Sequence, residues 1–378
     1  MTNVARMRVV LALVLAVLGS TMYAGPSHGT DVPSALPLVI RVSPAFGAYP
    51  RDLTVPITPM ERRVISRINR EIKDLGSFTP QTLQLITWYV EKGSEASPTL
   101  GLARAALIAS QQIFETFEIY DGQATSIVVG RSQKFLSDTV TALGCFPNLA
   151  STFGQHLMGS SLCNDRVITV NLSGYLFLES MRPVQQSDET RVEPPLARTS
   201  YLVVDRNASV LAHEWAHSVR TRIAGGQVPD GEPTWMSEGF AEMVSGLARV
   251  KAFGPDLSFA DMHAMKVRLF ADWPNRCPSD LNVYSAPSLR LGGCEYILGF
   301  LAVELLISEF GGLGKLLELY QEITRFTNFV ETFEAVYGMS MDEFELVANQ
   351  YIKQVASVGF GAKFRANPRG RVVLLSKY

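Results

Sequence analysis

The chain has 378 residues, of which 47% are hydrophobic and 19% are charged, a composition that excludes disordered and collagen-like proteins. A formal charge of −2 and the lack of any long run of like charges argue against nucleic acid as a partner. The length allows one large domain or two or three smaller ones. Only 5 His and 4 Cys are present, so any metal or redox chemistry depends largely on these nine side chains.

The N-terminus has the pattern of a secretory signal. Arg6 and Arg8 precede an apolar run from Val9 to Leu18, and small residues follow as far as Ala24. The run is shorter than the roughly 20 residues that a helix needs to span a bilayer. We expect residues 1–24 to be a cleaved signal peptide, with no stable membrane span left afterwards, and the mature protein to be secreted or periplasmic.

Four cysteines in an exported chain are expected to form disulfides, because the compartment is oxidising. Among the three connectivities, Cys145 with Cys163 and Cys277 with Cys294 would close two local loops of similar length, and we favour these pairs. The chain has no C-x-x-C motif, which argues against a thiolate zinc site or a redox dithiol.

Hydrophobic periodicity then orders the chain. Residues 25–58 form a leader rich in Pro and Gly, which would be a propeptide or an extended surface segment. The order helix, sheet, helix predicts an α+β protein in two lobes: residues 59–210 with N-terminal helices and a small sheet, and residues 211–378 with a helical C-terminal lobe. Helices are predicted at 64–75, 80–92, 100–120, 296–307, 316–324 and 341–355, and strands at 125–129, 166–172 and 200–204.

An H-E-x-x-H sequence runs from His213 to His217. On a helix, residues four apart lie on the same face, so both imidazoles could reach one metal ion. The alternative is a buried helix whose two His only form hydrogen bonds. The helix would start at an Asn207 or Ser209 cap and end at Gly225 and Gly226. Its other faces would bury Val210, Leu211, Trp215 and Val219.

A third ligand is needed, because catalytic zinc sites take three protein ligands and leave one position open. Glu238 lies in the segment Trp235–Glu242, after a turn containing Pro229 and Pro233 that would reverse the chain. Glu242, one helical turn later, could accept the outer N–H of a liganding His and fix its orientation. The alternative is an ordinary acidic pair on a solvated helix face.

These paired segments resemble the gluzincin metallopeptidases, in which an H-E-x-x-H helix is followed by a second helix with a zinc-binding Glu. Trp235 to Ala241 is similar to the W-L-x-E-G-F-A segment of the family's M1-like members. In thermolysin-like members an acidic residue four positions after the Glu ligand holds a zinc-binding His, and Glu242 occupies that position. The family also binds the oxyanion with a Tyr from a later helix, in a Y-x-x-G segment, and Tyr296 to Gly299 matches that segment. The resemblance covers residues 201–310 and, more distantly, Phe333 to Phe344.

The resemblance implies a zincin-like two-lobed fold, with the small sheet packed on the H-E-x-x-H helix, and a secreted zinc peptidase acting on peptides or proteins. Zn²⁺ would be held by His213, His217 and Glu238, with Glu214 as general base. Tyr296 would bind the oxyanion, or alternatively be an ordinary core residue. A strand at 166–172 would align the substrate as an edge strand. The G-x-M-E-N strand of M1 aminopeptidases is missing, which favours an endopeptidase.

Two other functions remain open: a catalytically silent binding or interaction protein with the same fold, and a zinc hydrolase of a nonpeptide amide or ester. The remaining His have no ligand spacing and are expected to have no catalytic role; they are His28, His156 and His263. The sequence leaves the oligomeric state open.

Overall fold

The computed structural model describes residues 57–95, 98–120, 122–145, 159–163, 166–172, 195–226, 228–254, 257–264, 266–267, 277–284, 293–326, 328–357, 363–366 and 372–375. The predicted signal peptide, nearly all of the predicted leader, His28 and His156 lie outside these residues.

The described residues form ten α-helices and six strands. The helices are α1 (Pro59–Asp74), α2 (Pro98–Thr116), α3 (Gln133–Ala142), α4 (Pro195–Ile223), α5 (Thr234–Phe253), α6 (Phe259–Ala264), α7 (Cys294–Phe310), α8 (Gly312–Glu322), α9 (Phe329–Tyr337) and α10 (Met341–Ser357). The strands are β1 (Ile86–Val90), β2 (Thr125–Gly130), β3 (Gly159–Leu162), β4 (Val167–Asn171), β5 (Lys363–Ala366) and β6 (Val372–Leu375). The α+β class is as predicted.

The main sheet has the strand order β1-β2-β4-β3. Strands β1, β2 and β4 are parallel, and β3 runs antiparallel to β4 at one edge. The predicted strand at 166–172 is therefore present as β4, but it lies inside the sheet and is not its edge. All five residues of β4 are buried, as expected for a strand with neighbours on both sides. Strands β5 and β6 form a separate antiparallel pair.

The helical core is built around α7, which crosses α5 and also contacts α1, α8 and α10. Helix α7 is apolar on nearly all sides, as expected for a helix in the middle of a core. Helix α4 packs against α2 and α5 on one side and against β3 and β4 on another. The helix with the H-E-x-x-H sequence therefore lies between the small sheet and the helical core.

Two predicted elements are wrong. Residues 80–92, predicted as a helix, form a short 3₁₀ turn at Gln81–Leu85 and then strand β1. The β1 sequence is rich in β-branched and aromatic residues, and its pairing with β2 outweighs the weak helical period. Residues 200–204, predicted as a strand, lie within α4. A short apolar run cannot be assigned by periodicity alone, and no Gly or Pro interrupts the chain between Pro195 and Ile223.

Both favoured disulfides are present. Cys145–Cys163 has a Cα–Cα distance of 5.8 Å, and Cys277–Cys294 has one of 5.6 Å. The second joins the segment 277–284 to the first residue of α7, two residues before Tyr296.

Within the described part of the chain, no single helix is both long and apolar enough to cross a membrane. The bent pair Cys294–Phe310 and Gly312–Arg325 meets that test only when its two helices are taken together.

Candidate functional site

Helix α4 carries His213 and His217 one turn apart, as the motif predicts. It begins at Pro195, so the predicted caps at Asn207 and Ser209 are wrong. Its end is as predicted: Gly225 and Gly226 both have positive φ, and the Gly226 N–H donates to the Thr221 carbonyl at 2.9 Å. The apolar residues expected on its other faces are all buried; these are Val210, Leu211, Trp215 and Val219.

Three potential ligand atoms converge beside this helix. Nε2 of His217 lies 3.0 Å from Nε2 of His213, and Oε2 of Glu238 lies 3.3 Å from each of these nitrogens. Tetrahedral zinc with ligands at 2.0–2.2 Å separates neighbouring ligand atoms by about 3.4 Å. The three side chains thus form a group that could hold a metal ion, and their atoms lie slightly closer together than the ligand atoms of a tetrahedral zinc.

The surroundings of His217 and Glu238 favour the metal-binding forms of these two side chains. Burial lowers the pKa of His217 to about 4, despite the opposing effect of Glu238, so the ring is neutral at neutral pH. Burial raises the pKa of Glu238, but hydrogen bonds from His213 and His217 outweigh this and hold the pKa well below its usual range. A neutral imidazole and a carboxylate are the forms that bind a metal.

Glu238 reaches the site because α5 folds back beside α4. The connecting loop is held by an ion pair: Nη1 of Arg220 lies 2.7 and 2.8 Å from the two carboxylate oxygens of Glu232. The Tyr320 hydroxyl donates to the same carboxylate at 2.8 Å, and all three side chains are buried. Sequence reasoning missed this network; its only local signal is an Arg three residues after His217 and a Glu before Pro233.

Glu242 lies one turn after Glu238 and faces the other ring nitrogen of His213. Its Oε1 is 3.4 Å from His213 Nδ1. That nitrogen is buried, and within the described part of the chain it makes no hydrogen bond of good geometry. Glu242 therefore lies within ion-pair distance of this nitrogen but makes no hydrogen bond of good geometry to it, and its orienting role stays a prediction. Its second oxygen forms an ion pair with Lys266, which sequence reasoning missed.

Glu214 points toward the edge strand β3. A Cβ built on Gly159, the first residue of β3, would lie 2.5 Å from Val210 Cγ1 and 3.2 Å from Glu214 Oε1. A larger residue at position 159 would require the side chains of Val210 and Glu214 to shift. Sequence reasoning missed Gly159, because β3 is too short to show an alternating pattern.

Tyr296 lies in the first turn of α7 and faces the same site. Its ring centroid is 5.7 Å from that of His213. The glycine of the Y-x-x-G segment, Gly299, is the point where α7 contacts α5: a Cβ there would lie 2.9 Å from the Gly239 nitrogen. This close approach holds the part of α7 that carries Tyr296 against the part of α5 that carries Glu238.

His263 lies in a separate, fully buried cluster. Its Nδ1 is 2.9 Å from Glu304 Oε2, and its Nε2 is 3.1 Å from Glu61 Oε1. The Tyr351 hydroxyl donates to the other oxygen of Glu304 at 2.6 Å. Because the two ring nitrogens face different carboxylates, the cluster does not converge on one point and is a structural network.

Comparison with known proteins gives no relative for this chain. No family model, no curated protein and no solved structure matches it.

Proposed function

We propose that this protein is a secreted or periplasmic zinc-dependent peptidase of the gluzincin type, with a zincin-like two-lobed fold. The observation that carries the proposal is the convergence of His213, His217 and Glu238, with ligand atoms 3.0 to 3.3 Å apart, beside the helix that also carries Glu214. The two disulfides support an oxidising compartment.

The metal would be held by the two Nε2 atoms and the Glu238 carboxylate. When bound, zinc supplies a Lewis acid for a carbonyl oxygen and acidifies a water molecule to a pKa of about 7. Three protein ligands leave one coordination position free, which distinguishes a catalytic zinc site from a structural one.

Glu214 directly follows His213 in the sequence and is not one of the three side chains that converge as possible ligands. We assign it the role of general base, which takes a proton from the attacking water and delivers it to the leaving amine. Its position against Gly159 restrains the carboxylate between α4 and β3. Tyr296, beside the His213 ring, would donate a hydrogen bond to the oxyanion of the tetrahedral intermediate.

A peptide substrate is favoured by the position of β3. Strand β3 is an edge of the main sheet and begins beside Glu214, so its outer backbone groups could pair with an extended peptide. We therefore assign the alignment of the substrate to β3 and not to the strand at 166–172, because that strand lies inside the sheet. An endopeptidase is the better fit, since the chain lacks the G-x-M-E-N segment that holds a free amine in M1 aminopeptidases.

The proposal is tested by digesting a peptide library with the zinc-loaded protein and with Glu214→Gln. The wild type should cut internal bonds. Glu214→Gln should keep its zinc but cut peptides about 10²- to 10⁴-fold more slowly. Glu322→Gln, which alters a surface pair with Arg325, is the matched control and should cut normally. A zinc-loaded wild type that cuts no peptide would refute the peptidase, leaving a nonpeptide hydrolase or a binding protein. Full activity in Glu214→Gln would refute the assigned base.

A further inference from the structure

Helix α6 and the two residues described after it, 266–267, run alongside α5 in the opposite direction. Met262 packs on Gly246, where a Cβ would lie 2.6 Å from Met262 Cε. Four residues further along, Lys266 forms an ion pair with Glu242, which lies four residues before Gly246. The equal spacing shows that the two contacts belong to one antiparallel packing of this segment on α5.

This segment is fixed at several points. Its large apolar side chains are almost fully buried, and His263 is held between Glu61 and Glu304 three residues before Lys266. Lys266 Nζ also lies 5.3 Å from the centroid of the Phe300 ring, which His263 approaches from 6.2 Å. The buried apolar residues are Leu257, Phe259, Met262 and Val267. Lys266 is therefore presented to Glu242 by an anchored segment and has little conformational freedom to lose on pairing.

The Glu242 carboxylate bridges two groups. Oε1 faces His213 Nδ1 at 3.4 Å, and Oε2 pairs with Lys266. The side chains of Glu242 and Lys266 are only 17% and 15% exposed, so water can replace little of this pairing. Glu238 lies one turn before Glu242 on the same helix, and two carboxylates at this spacing repel each other. Without a cation, Glu242 would turn toward solvent and away from His213.

We propose that Lys266 is a positioning residue for the metal centre: it holds the Glu242 carboxylate against His213 and so fixes the orientation of that ligand. The inference rests on the proposed zinc site. Residues that orient a metal ligand typically contribute about 10- to 100-fold to metal affinity. In this proposal the side chain acts on the metal centre through Glu242.

The test is the zinc dissociation constant of the full chain, measured by competition with a chelator. Lys266→Met keeps the apolar stem and removes the charge; it should weaken zinc binding by about 10- to 100-fold. Lys266→Arg should bind within about threefold of wild type, because the cation is retained. Lys134→Met, which removes an exposed pair with Asp138, is the control and should bind as wild type.

A double variant separates positioning from general destabilisation. If Lys266 acts through Glu242, then Glu242→Gln combined with Lys266→Met should bind zinc no more weakly than Glu242→Gln alone. Two independent losses that multiply would overturn the proposal, as would Lys266→Met with wild-type affinity. A wild type that binds no zinc would instead refute the proposed function, so the two failures are distinguishable.

Discussion

Gly239 and Gly299 bring the backbones of α5 and α7 into direct contact. A Cβ added to Gly239 would lie 2.8 Å from the Gly299 Cα and still closer to its carbonyl group. The contact lies one residue after Glu238 and three residues after Tyr296. The absence of side chains at these two positions therefore sets the distance between α5 and α7. The same contact sets how far Glu238, the candidate ligand, lies from Tyr296, the candidate oxyanion donor.

Gly239→Ala should be strongly destabilising, because the added methyl group meets backbone atoms that cannot rotate away. Overpacking a core typically costs about 1–3 kcal/mol, and a contact with backbone belongs at or above the upper end. Chemical denaturation followed by circular dichroism measures the loss. The zinc affinity of the folded fraction should fall as well, since Glu238 moves with the helix.

Gly246→Ala is the matched control on the same helix. Its Cβ would contact only the end of the flexible Met262 side chain, and alanine is favoured over glycine in a helix by about 1 kcal/mol. We expect a small change in the free energy of unfolding. Equal effects of the two substitutions would contradict the assigned role of the Gly239–Gly299 contact.

Glu232→Gln should destabilise the protein by about 3–5 kcal/mol, because it leaves Arg220 buried without its counter-charge. The loop between the two site helices should loosen at the same time. Tyr320→Phe removes a single hydrogen bond to the same carboxylate and should cost about 2 kcal/mol. Urea denaturation of both variants measures the difference.

The exposed pair of Lys134 and Asp138 provides the comparison for Glu232. Asp138→Asn breaks an ion pair in contact with solvent and should cost less than about 1 kcal/mol. If Glu232→Gln costs no more than Asp138→Asn, the buried pair does not hold the loop.

The His263 cluster predicts a loss of stability at alkaline pH. Burial alone would lower the pKa of His263, but Glu304 and then Glu61 raise it to about 9. The folded pKa lies above the ordinary value of 6.5, so the stabilisation is fully present below about pH 6.5 and is lost as the pH rises through about 9. Its size should be about 3 kcal/mol.

The free energy of unfolding of wild type and of Glu304→Gln, measured from pH 6 to pH 10, tests this prediction. Glu304→Gln removes the stronger of the two charges facing His263, so its stability should fall less over this range. Parallel curves for the two proteins would show that His263 does not titrate as described.

Local patterns predicted much of the site. Four-residue spacing places His213 and His217 on one helix face, and the glycines after Ile223 end that helix as expected. Glu238 lies beside both His, and Tyr296 lies beside His213; the roles that the resemblance implies for them stay predictions. Loop lengths were enough to favour the disulfide pairs that the structure contains.

Contacts between distant segments could not be predicted in the same way. The pairing of Lys266 with Glu242 and the approach of Gly159 to Glu214 depend on how elements pack, which no local period encodes. The edge of the sheet was misassigned for the same reason, since strand order is a tertiary property. His263 has no motif spacing, and its two carboxylate partners come from α1 and α7.

The central claim, that His213, His217 and Glu238 bind zinc for catalysis, is tested most directly by the zinc content of the purified protein. Protein is incubated with zinc, freed of excess metal and analysed by mass spectrometry. We predict one zinc ion per chain in wild type and in Glu214→Gln, and little or none in His217→Ala and Glu238→Ala. Folded wild type without bound zinc, or full zinc content in Glu238→Ala, would contradict the claim.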